Sequence, residues 1–243
     1  MRLDKFLCDM GEGTRSQVKQ KIRKGCVTVD GQAARKPELS VTSENRICVD
    51  GRPVSYVKLE YYMLNKPAGV LSATRDPDQP TVLSLIRDKR RKDLFPAGRL
   101  DKDTEGLLLI TNDGVLAHSL LSPKKHVDKR YYAKVAGVVT EEHVRLFAGG
   151  LALGDEKPAL PAVLEIQKAG KVSHVFVTLR EGRYHQVKRM FQAVGCEVLY
   201  LKRLSMGSLC LDESLKPGEY RSLTQEEVEN LKDNSQNQEN HKC

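Results

Sequence analysis

A buried strand that follows a charged, glycine-bounded loop constrains the fold of this chain more than any other segment. Residues 107–111, Leu-Leu-Leu-Ile-Thr, predict a strand that is buried on both faces. The loop before it runs from Gly98 to Gly106 and carries Arg99 and Asp101. Charges so close to a core are costly unless they are paired or used, and loops on rigid strands often carry reactive groups. Spacing alone favours equally a reactive site and a surface turn in which Arg99 pairs with Asp101.

The composition is that of an ordinary soluble protein with a basic surface. A chain of 243 residues can bury the core of one large or two smaller domains. Its 40 lysines and arginines exceed its 32 aspartates and glutamates, which gives a formal net charge of +8. Because acidic residues are concentrated near the C-terminus, the remaining chain is more basic still. A basic body favours a polyanionic partner, most often nucleic acid.

Several classes of protein are disfavoured by missing sequence features. No stretch has the length and apolar character of a membrane span or a signal peptide, so no membrane partner is expected. The six cysteines form no C-x-x-C pair, which argues against a zinc site or a disulfide framework and for a reducing cytoplasm. Phosphate-loop, dinucleotide, H-E-x-x-H and G-x-S-x-G motifs are absent. The class of protein that remains is an enzyme that works through a carboxylate, without a cofactor or a metal.

Residues 1–57 are predicted to form a small N-terminal α/β module. Thr14 with Gln17 is a capping-box pattern that opens a helix. Alternating valines then run into Asp30-Gly31, and a later strand meets Asp50-Gly51; both pairs are typical of hairpin turns. Helix, turn and strand thus occur in the order of a compact independent unit.

The predicted helix of this module carries a basic stripe. Arg15, Lys19 and Arg23 recur at i, i+4 spacing, and Lys24 follows them. Like charges on one helix face repel one another, and a phosphate backbone lying across them would remove that cost. The alternative interpretation is a solvated helix face beside a plain hairpin.

Residues 58–225 are predicted to form a larger α+β domain, followed by a short helix and a polar disordered tail at 226–243. Its predicted strands and helices alternate, and several are joined by hairpin-like turns, which favours a mostly antiparallel, mixed sheet flanked by helices. The strands are predicted at 107–111, 131–135 and 172–179, and the helices at 115–121, 140–148 and 185–194.

Three side chains of the larger domain are candidates for a shared catalytic centre. Asp101 is a candidate nucleophile or base. Tyr131, on a predicted strand, offers a ring for stacking and a hydroxyl for proton transfer. Lys188, near a predicted helix start, could keep a carboxylate ionised by pairing with it. Taken singly, Tyr131 also fits a half-buried strand aromatic, and Lys188 a solvated helix flank.

Several motifs resemble known families. The order Arg-Leu-Asp-Lys-Phe-Leu, Thr-Arg-Ser and Gly-x-Val-x-Val-Asp-Gly resembles the alpha-L-type RNA-binding module first known from a small-subunit ribosomal protein. Gly98-Arg99-Leu100-Asp101, Lys129-Arg130-Tyr131 and the segment Glu181 to Met190 resemble the three signature motifs of pseudouridine synthases. With Asn65-Lys66-Pro67, the resemblance is to the subfamily that acts on small-subunit ribosomal RNA, over roughly residues 1–225.

The resemblance implies roles for particular residues. Asp101 would be the essential aspartate, Tyr131 the active-site tyrosine and Lys188 the basic partner of the aspartate. A Leu-x-Arg-x-x-x-Gly motif would place Leu201 against the substrate pocket and make Arg203 a further RNA contact.

Other residues near these motifs are candidates for RNA binding. Arg99 could fill the space left by an extruded nucleotide or bind the flanking phosphate, and Arg183 and His185 are further candidates. Asp103, two residues from the essential aspartate, is expected to be a structural loop acid.

The implied activity is the isomerisation of uridine to pseudouridine in small-subunit ribosomal RNA, as naked RNA or in a ribonucleoprotein. Uracil is detached, turned over and rejoined through carbon 5, so no atoms enter or leave, and the nucleotide must leave its stack. A cytoplasmic monomer is expected. The alternatives are a non-catalytic RNA- or ribosome-binding protein, and a nucleoside hydrolase that pairs Asp101 with Asp103 or Glu105.

Overall fold

The chain forms two compact units. The computed structural model describes residues 1–237, with side chains through residue 233. One unit consists of Met1–Glu60 with Arg87–Leu94, and the other of Tyr61–Ile86 with the chain from Phe95 onward. Among the described residues, no helix is both long and apolar enough to cross a membrane.

The first unit packs two helices and a small antiparallel sheet around one core. Its helices are α1 (Leu3–Asp9) and α2 (Arg15–Arg23), and its strands, in the sheet order β2-β1-β3-β4, are β1 (Val27–Val29), β2 (Gln32–Ala33), β3 (Ile47–Val49) and β4 (Arg52–Pro53). Leu3 and Leu7 of α1, Ile22 of α2 and Ile47 of β3 are fully buried together. The predicted capping box at Thr14 is confirmed, since its side chain accepts from the backbone of Gln17 and the glutamine side chain accepts in return.

Both predicted hairpin turns of this unit are confirmed. Asp30 and Asp50 have φ of 49°, and the glycine after each also has a positive φ. This is the combination that a tight two-residue hairpin loop requires. The second turn leads into β4, which pairs with β3.

Residues 87–94 belong to the first unit through buried charged contacts. Arg91 is 5 % exposed, donates from Nη1 to the carbonyl of Val57 at 3.1 Å and lies 3.6 Å from the carboxylate of Asp9. Buried charges need such partners. This non-local pairing could not be seen from local sequence patterns.

The second unit is built on a nine-stranded sheet. The main strand order is β13-β5-β7-β11-β8-β10-β9, with β6 pairing β7 and β12 pairing β11. Its strands are β5 (Tyr61–Lys66), β6 (Phe95–Pro96), β7 (Glu105–Thr111), β8 (Lys129–Ala136), β9 (Val163–Lys168), β10 (Val172–Leu179), β11 (Glu197–Met206), β12 (Leu209–Cys210) and β13 (Tyr220–Ser222), and its helices are α3 (Val82–Leu85), α4 (Gly114–Leu121), α5 (Glu141–Gly149), α6 (Gln186–Ala193) and α7 (Gln225–Asn237). Only the β7–β11 pair is parallel, which confirms the predicted mostly antiparallel mixed sheet.

Helices α4 and α7 pack on one face of the sheet. Leu107 and Leu109 of β7 share a buried core with Leu120 of α4 and Leu231 of α7. Arg203 of β11 is paired in register with Gly106 of β7. Side chains alternate along a strand, so position 106 faces away from Leu107 and Leu109. The Arg203 side chain, paired with position 106, therefore lies on the face opposite this buried core.

The end of the chain differs in part from its prediction. The predicted short helix is α7, which runs from Gln225 to Asn237 and so includes residues 233–237, a stretch that was expected to be too polar to fold alone. The rest of the predicted disordered tail, residues 238–243, lies outside the described residues.

Candidate active site

The loop that carries Asp101 is held by hydrogen bonds on both sides. The backbone N–H of Leu100 donates to Oγ of Ser72 at 3.1 Å, and that hydroxyl donates to the Leu100 carbonyl at 2.9 Å. The N–H of Thr104 donates to the carbonyl of Asp101 at 3.1 Å and closes a turn. Because β7 begins at Glu105, this turn fixes Asp101 directly ahead of the buried strand.

A buried lysine supports the same loop from below. Lys66, at the end of β5, is fully buried and donates from Nζ to the carbonyls of Pro67, Lys102 and Thr104 at 3.0, 3.1 and 2.8 Å. Burial lowers the pKa of Lys66 to about 8, against the opposing effect of nearby carboxylates. Sequence reasoning assigned Lys66 no role. The sequence signal that could have indicated this role is a lysine at the end of an apolar strand.

Gly106 permits the close approach of the two parallel strands at the site. Its φ is +98°, and a Cβ atom there would lie 2.2 Å from the carbonyl oxygen of Arg203. No other residue type fits at such a distance. The glycine that ends the predicted loop thus also lets β11 pair beside β7.

One cleft brings together most of the site residues that were predicted in the second unit. Arg99, Asp101, Tyr131, His185 and Leu201 all line it. Its cavity volume is about 70 Å³, and it opens to solvent.

The floor of the cleft is apolar. Tyr131 of β8 and Leu201 of β11 are 8 % and 5 % exposed, and Leu179 and Val187 lie beside them. An aromatic ring among aliphatic side chains offers a flat surface for a planar ligand, while its hydroxyl remains available for proton transfer.

The rim carries two carboxylates that share one ammonium group. Nζ of Lys188 lies 2.6 and 2.8 Å from the two carboxylate oxygens of Asp103, and 3.5 Å from Oδ2 of Asp101. Nε2 of His185 lies 3.6 Å from Oδ1 of Asp101. Partial burial raises the pKa of Asp103, but hydrogen bonding and charge from Lys188 outweigh it, so the pKa lies below its ordinary value.

The structure thus puts Asp103 in the site, whereas the sequence suggested only a loop role for it. The expected proximity of Lys188 to Asp101 is present, but the shorter contacts of the lysine are to Asp103. Across the described part of the chain, no group of three or more histidine, cysteine or acidic side chains is arranged to hold a metal ion.

Two arginines expected to bind RNA make hydrogen bonds within the protein. Arg203 is 2 % exposed and donates from Nε to the carbonyl of Leu107 at 2.8 Å. The prediction of an RNA contact for Arg203 is therefore corrected, because its side chain is buried against the sheet and bonded to β7.

Arg183 lines the cleft, but its guanidinium is committed to neighbouring chain segments. Nε donates to Glu181 at 3.1 Å, Nη1 donates to the carbonyl of Lys157 at 2.7 Å and to Asp155 at 3.2 Å, and Nη2 donates to the carbonyl of Pro158 at 2.8 Å. Its donors hold the segment 155–158 in place, and an RNA contact of Arg183 stays a prediction.

The first unit has a basic cavity of its own. It is lined by Arg2, Asp4, Lys5, Arg15 and Lys19. Arg15 and Lys19 of the predicted basic stripe thus lie beside Arg2 and Lys5 at the start of α1. The sequence analysis did not identify Arg2 and Lys5 as candidates.

Two other residues of the predicted basic stripe lie elsewhere on the first unit. Arg23 and Lys24 are exposed at the end of α2 and do not line the basic cavity.

Comparison with known proteins agrees with this architecture. A family model described as RNA pseudouridylate synthase matches residues 60–193, and an S4 domain model matches residues 1–47. An uncharacterized RNA pseudouridine synthase of Bacillus subtilis is 48% identical over 94% of this chain and 97% of its own length. Ribosomal small subunit pseudouridine synthase A of Escherichia coli K12 is 43% identical over 94% of this chain and 98% of its own.

A solved structure supports the same assignment. A crystal structure of a pseudouridylate synthase aligns with a TM-score of 0.67 and 40% sequence identity, covering 95% of this chain and 99% of its own. The fold class and the resemblance found in the sequence are both confirmed. This chain belongs to the RNA pseudouridylate synthase family and carries an S4 domain at its N-terminal end.

Proposed function

We propose that this protein isomerises a uridine of small-subunit ribosomal RNA, with Asp101, Tyr131 and Lys188 as its catalytic residues. The observation that carries the proposal is the single cleft that Asp101 and Tyr131 both line, with Lys188 3.5 Å from the carboxylate. An acid, a phenol and an ammonium group within reach of one bound nucleotide match the chemistry of breaking and remaking a glycosidic bond.

Asp101 acts at the glycosidic bond as nucleophile or base. Its loop is held by Ser72 and Lys66, so its carboxylate is positioned before the substrate arrives. The ammonium of Lys188 lies 3.5 Å from Oδ2 of Asp101 and supplies the positive charge that faces this carboxylate.

Tyr131 receives the uracil that leaves the RNA stack. Its ring stacks on the extruded base, with Leu201 packing beside it. As the reaction proceeds, the bond from the sugar to N1 breaks and the bond to carbon 5 forms. Carbon 5 must then lose a proton and N1 must gain one. We assign this transfer to the tyrosine hydroxyl, which accepts the carbon-5 proton as it gives up its own.

Arg99 acts at the edge of the cleft. It lies two residues before Asp101 and lines the same space. We assign it to the flanking phosphate or to the gap that the extruded nucleotide leaves in the stack.

The small-subunit target rests on the relatives and on the N-terminal unit. The relatives from Escherichia coli and Yersinia pestis are named as pseudouridine synthases of the ribosomal small subunit. The S4 domain of this chain carries a cavity with four basic side chains, which suits a phosphate backbone. A cytoplasmic location and a monomeric state remain predictions.

The proposal is tested by tritium release from a small-subunit ribosomal RNA transcript that is labelled at carbon 5 of uracil. We expect tritium release with no change in the mass of the RNA, and little release from a large-subunit transcript. Binding without tritium release, or release of free uracil, would contradict the proposal. Mapping pseudouridines in cells with and without the gene then identifies the modified position.

A further inference from the structure

Tyr184 is an exposed aromatic side chain at the edge of the active-site cleft. All eight tyrosines and five phenylalanines lie among the described residues, and Tyr184 is the one that is exposed, at 76 %. Its ring stacks on the imidazole of His185, with centroids 3.8 Å apart and planes at 17°. One ring face is therefore covered, and the other faces solvent.

This aromatic pair extends outward from the catalytic carboxylate. His185 lines the cleft and lies 3.6 Å from Asp101, while Tyr184 stacks on it and is far more exposed. A planar group on the outer face of Tyr184 would continue the stack that begins beside Asp101. Such a group would lie next to the nucleotide in the cleft and not inside it.

The backbone around the pair is held firmly. The Glu181 carboxylate is buried and accepts hydrogen bonds from Gln186 at 2.7 Å and from the N–H of Leu160 at 2.9 Å. Arg189 donates to the carbonyl of Tyr184 at 3.3 Å. His185 itself has φ of 49°, a conformation that non-glycine residues adopt only when their surroundings impose it. An aromatic ring on so rigid a support loses little entropy when a ligand stacks on it.

We propose that Tyr184, supported by His185, stacks on the base next to the target uridine while that uridine occupies the cleft. The inference rests on the proposed function. Extrusion of a uridine leaves its neighbour without a stacking partner on one side, and an exposed ring at the rim replaces that partner. Stacking of this kind tolerates any base but requires that the base be unpaired. Tyr184 would thus favour uridines in single-stranded segments.

The test compares Tyr184→Ala with Tyr184→Phe, which keeps the ring. Val115→Ala, at a strongly exposed apolar position on α4, is the matched control. The substrate is a short single-stranded RNA copied around the modified uridine. We expect Tyr184→Ala to raise KM about 10-fold with kcat nearly unchanged, and Tyr184→Phe and Val115→Ala to behave like the wild type.

Abasic nucleotides beside the target uridine identify the stacking partner. On the RNA that lacks the correct neighbouring base, wild type and Tyr184→Ala should have the same KM, because no base is present for the ring to stack on. An undiminished effect of Tyr184→Ala on every abasic RNA, or no effect on the intact RNA, would overturn the proposal.

A binding measurement separates this proposal from the proposed function. If the wild-type protein released no tritium, the proposed function would fail while the stack could still be observed. A short single-stranded RNA with 2-aminopurine on both sides of a uridine serves as the probe. Quenching by the wild type that is lost in Tyr184→Ala and kept in Tyr184→Phe supports the stack, and equal quenching by all three overturns it.

Discussion

Lys188 binds Asp103 at two points, with Nζ 2.6 and 2.8 Å from the two carboxylate oxygens, although the two residues are 85 positions apart in the chain. The same Nζ lies 3.5 Å from Asp101. The ammonium therefore interacts with two acids, one of which lines the cleft. Asp103 holds the lysine in place, and the lysine in turn places positive charge beside Asp101.

We predict that the charge of Lys188 matters more than its length. Lys188→Arg should keep most of the activity, since a guanidinium can also bridge two carboxylates. Lys188→Met should lower kcat at least about 10-fold, because the charge that stabilises an ionised carboxylate is lost. The prediction is checked by measuring the kinetics of tritium release and the RNA dissociation constant for each variant. Wild-type kcat in Lys188→Met would rule out the assigned role.

Lys66 should act on catalysis through the position of the loop. Lys66→Met removes three hydrogen bonds to loop carbonyls and leaves these groups buried, at a cost in unfolding free energy of about 1–3 kcal/mol or more. We expect a lower kcat with RNA affinity nearly unchanged. Lys102→Met, an exposed position in the same loop, is the control. Equal kcat and equal denaturant midpoints for the two variants would show that Lys66 does not hold the loop.

The basic cavity of the first unit should contribute to RNA affinity but not to the catalytic step. Arg15→Glu with Lys19→Glu should weaken RNA binding and reduce the slope of log affinity against log salt by about 1 for each phosphate that the protein no longer neutralises. Lys168→Glu with Lys171→Glu, two exposed positions, is the control for net charge, because it changes the charge by the same amount. Unchanged affinity and salt dependence in the double variant would identify α2 as a solvated helix.

Asp212 should make stability fall in acid. Hydrogen bonds from Ser214 and Arg221 lower its pKa to about 2, from an ordinary value of 3.8. The folded state therefore holds the ionised form more tightly than the unfolded state does. The resulting stabilisation is present above about pH 4 and is lost as the pH falls toward 2. Urea unfolding from pH 6 downward should show a steeper loss for the wild type than for Asp212→Asn. Parallel curves would contradict this.

Local signals in the sequence predicted the local structure well. Three predicted features are present: the capping box at Thr14, the Asp-Gly turns and the buried strand that ends at Thr111. Each is specified by residues within a short stretch of sequence. The residues of the cleft could be predicted one by one from the sequence. Only the resemblance to a family indicated that they lie in one site.

The rest depends on contacts between distant segments. The central strand β11 was not predicted as a strand, and its Arg203 side chain is buried against the sheet and bonded to β7. The three carbonyls around Lys66 come from a turn and a loop that meet only in the folded chain. Likewise, spacing along the chain could not indicate that Lys188 reaches Asp103 more closely than Asp101.

The most direct test of the central claim compares Asp101→Asn with Asp103→Asn, two nearly isosteric changes in one loop. Each variant is measured for tritium release from small-subunit ribosomal RNA and for RNA affinity. We predict that Asp101→Asn loses activity by at least about 10²-fold while binding RNA normally, and that Asp103→Asn remains clearly active. Substantial activity in Asp101→Asn, or loss of activity in Asp103→Asn alone, would contradict the assignment of Asp101 as the catalytic carboxylate.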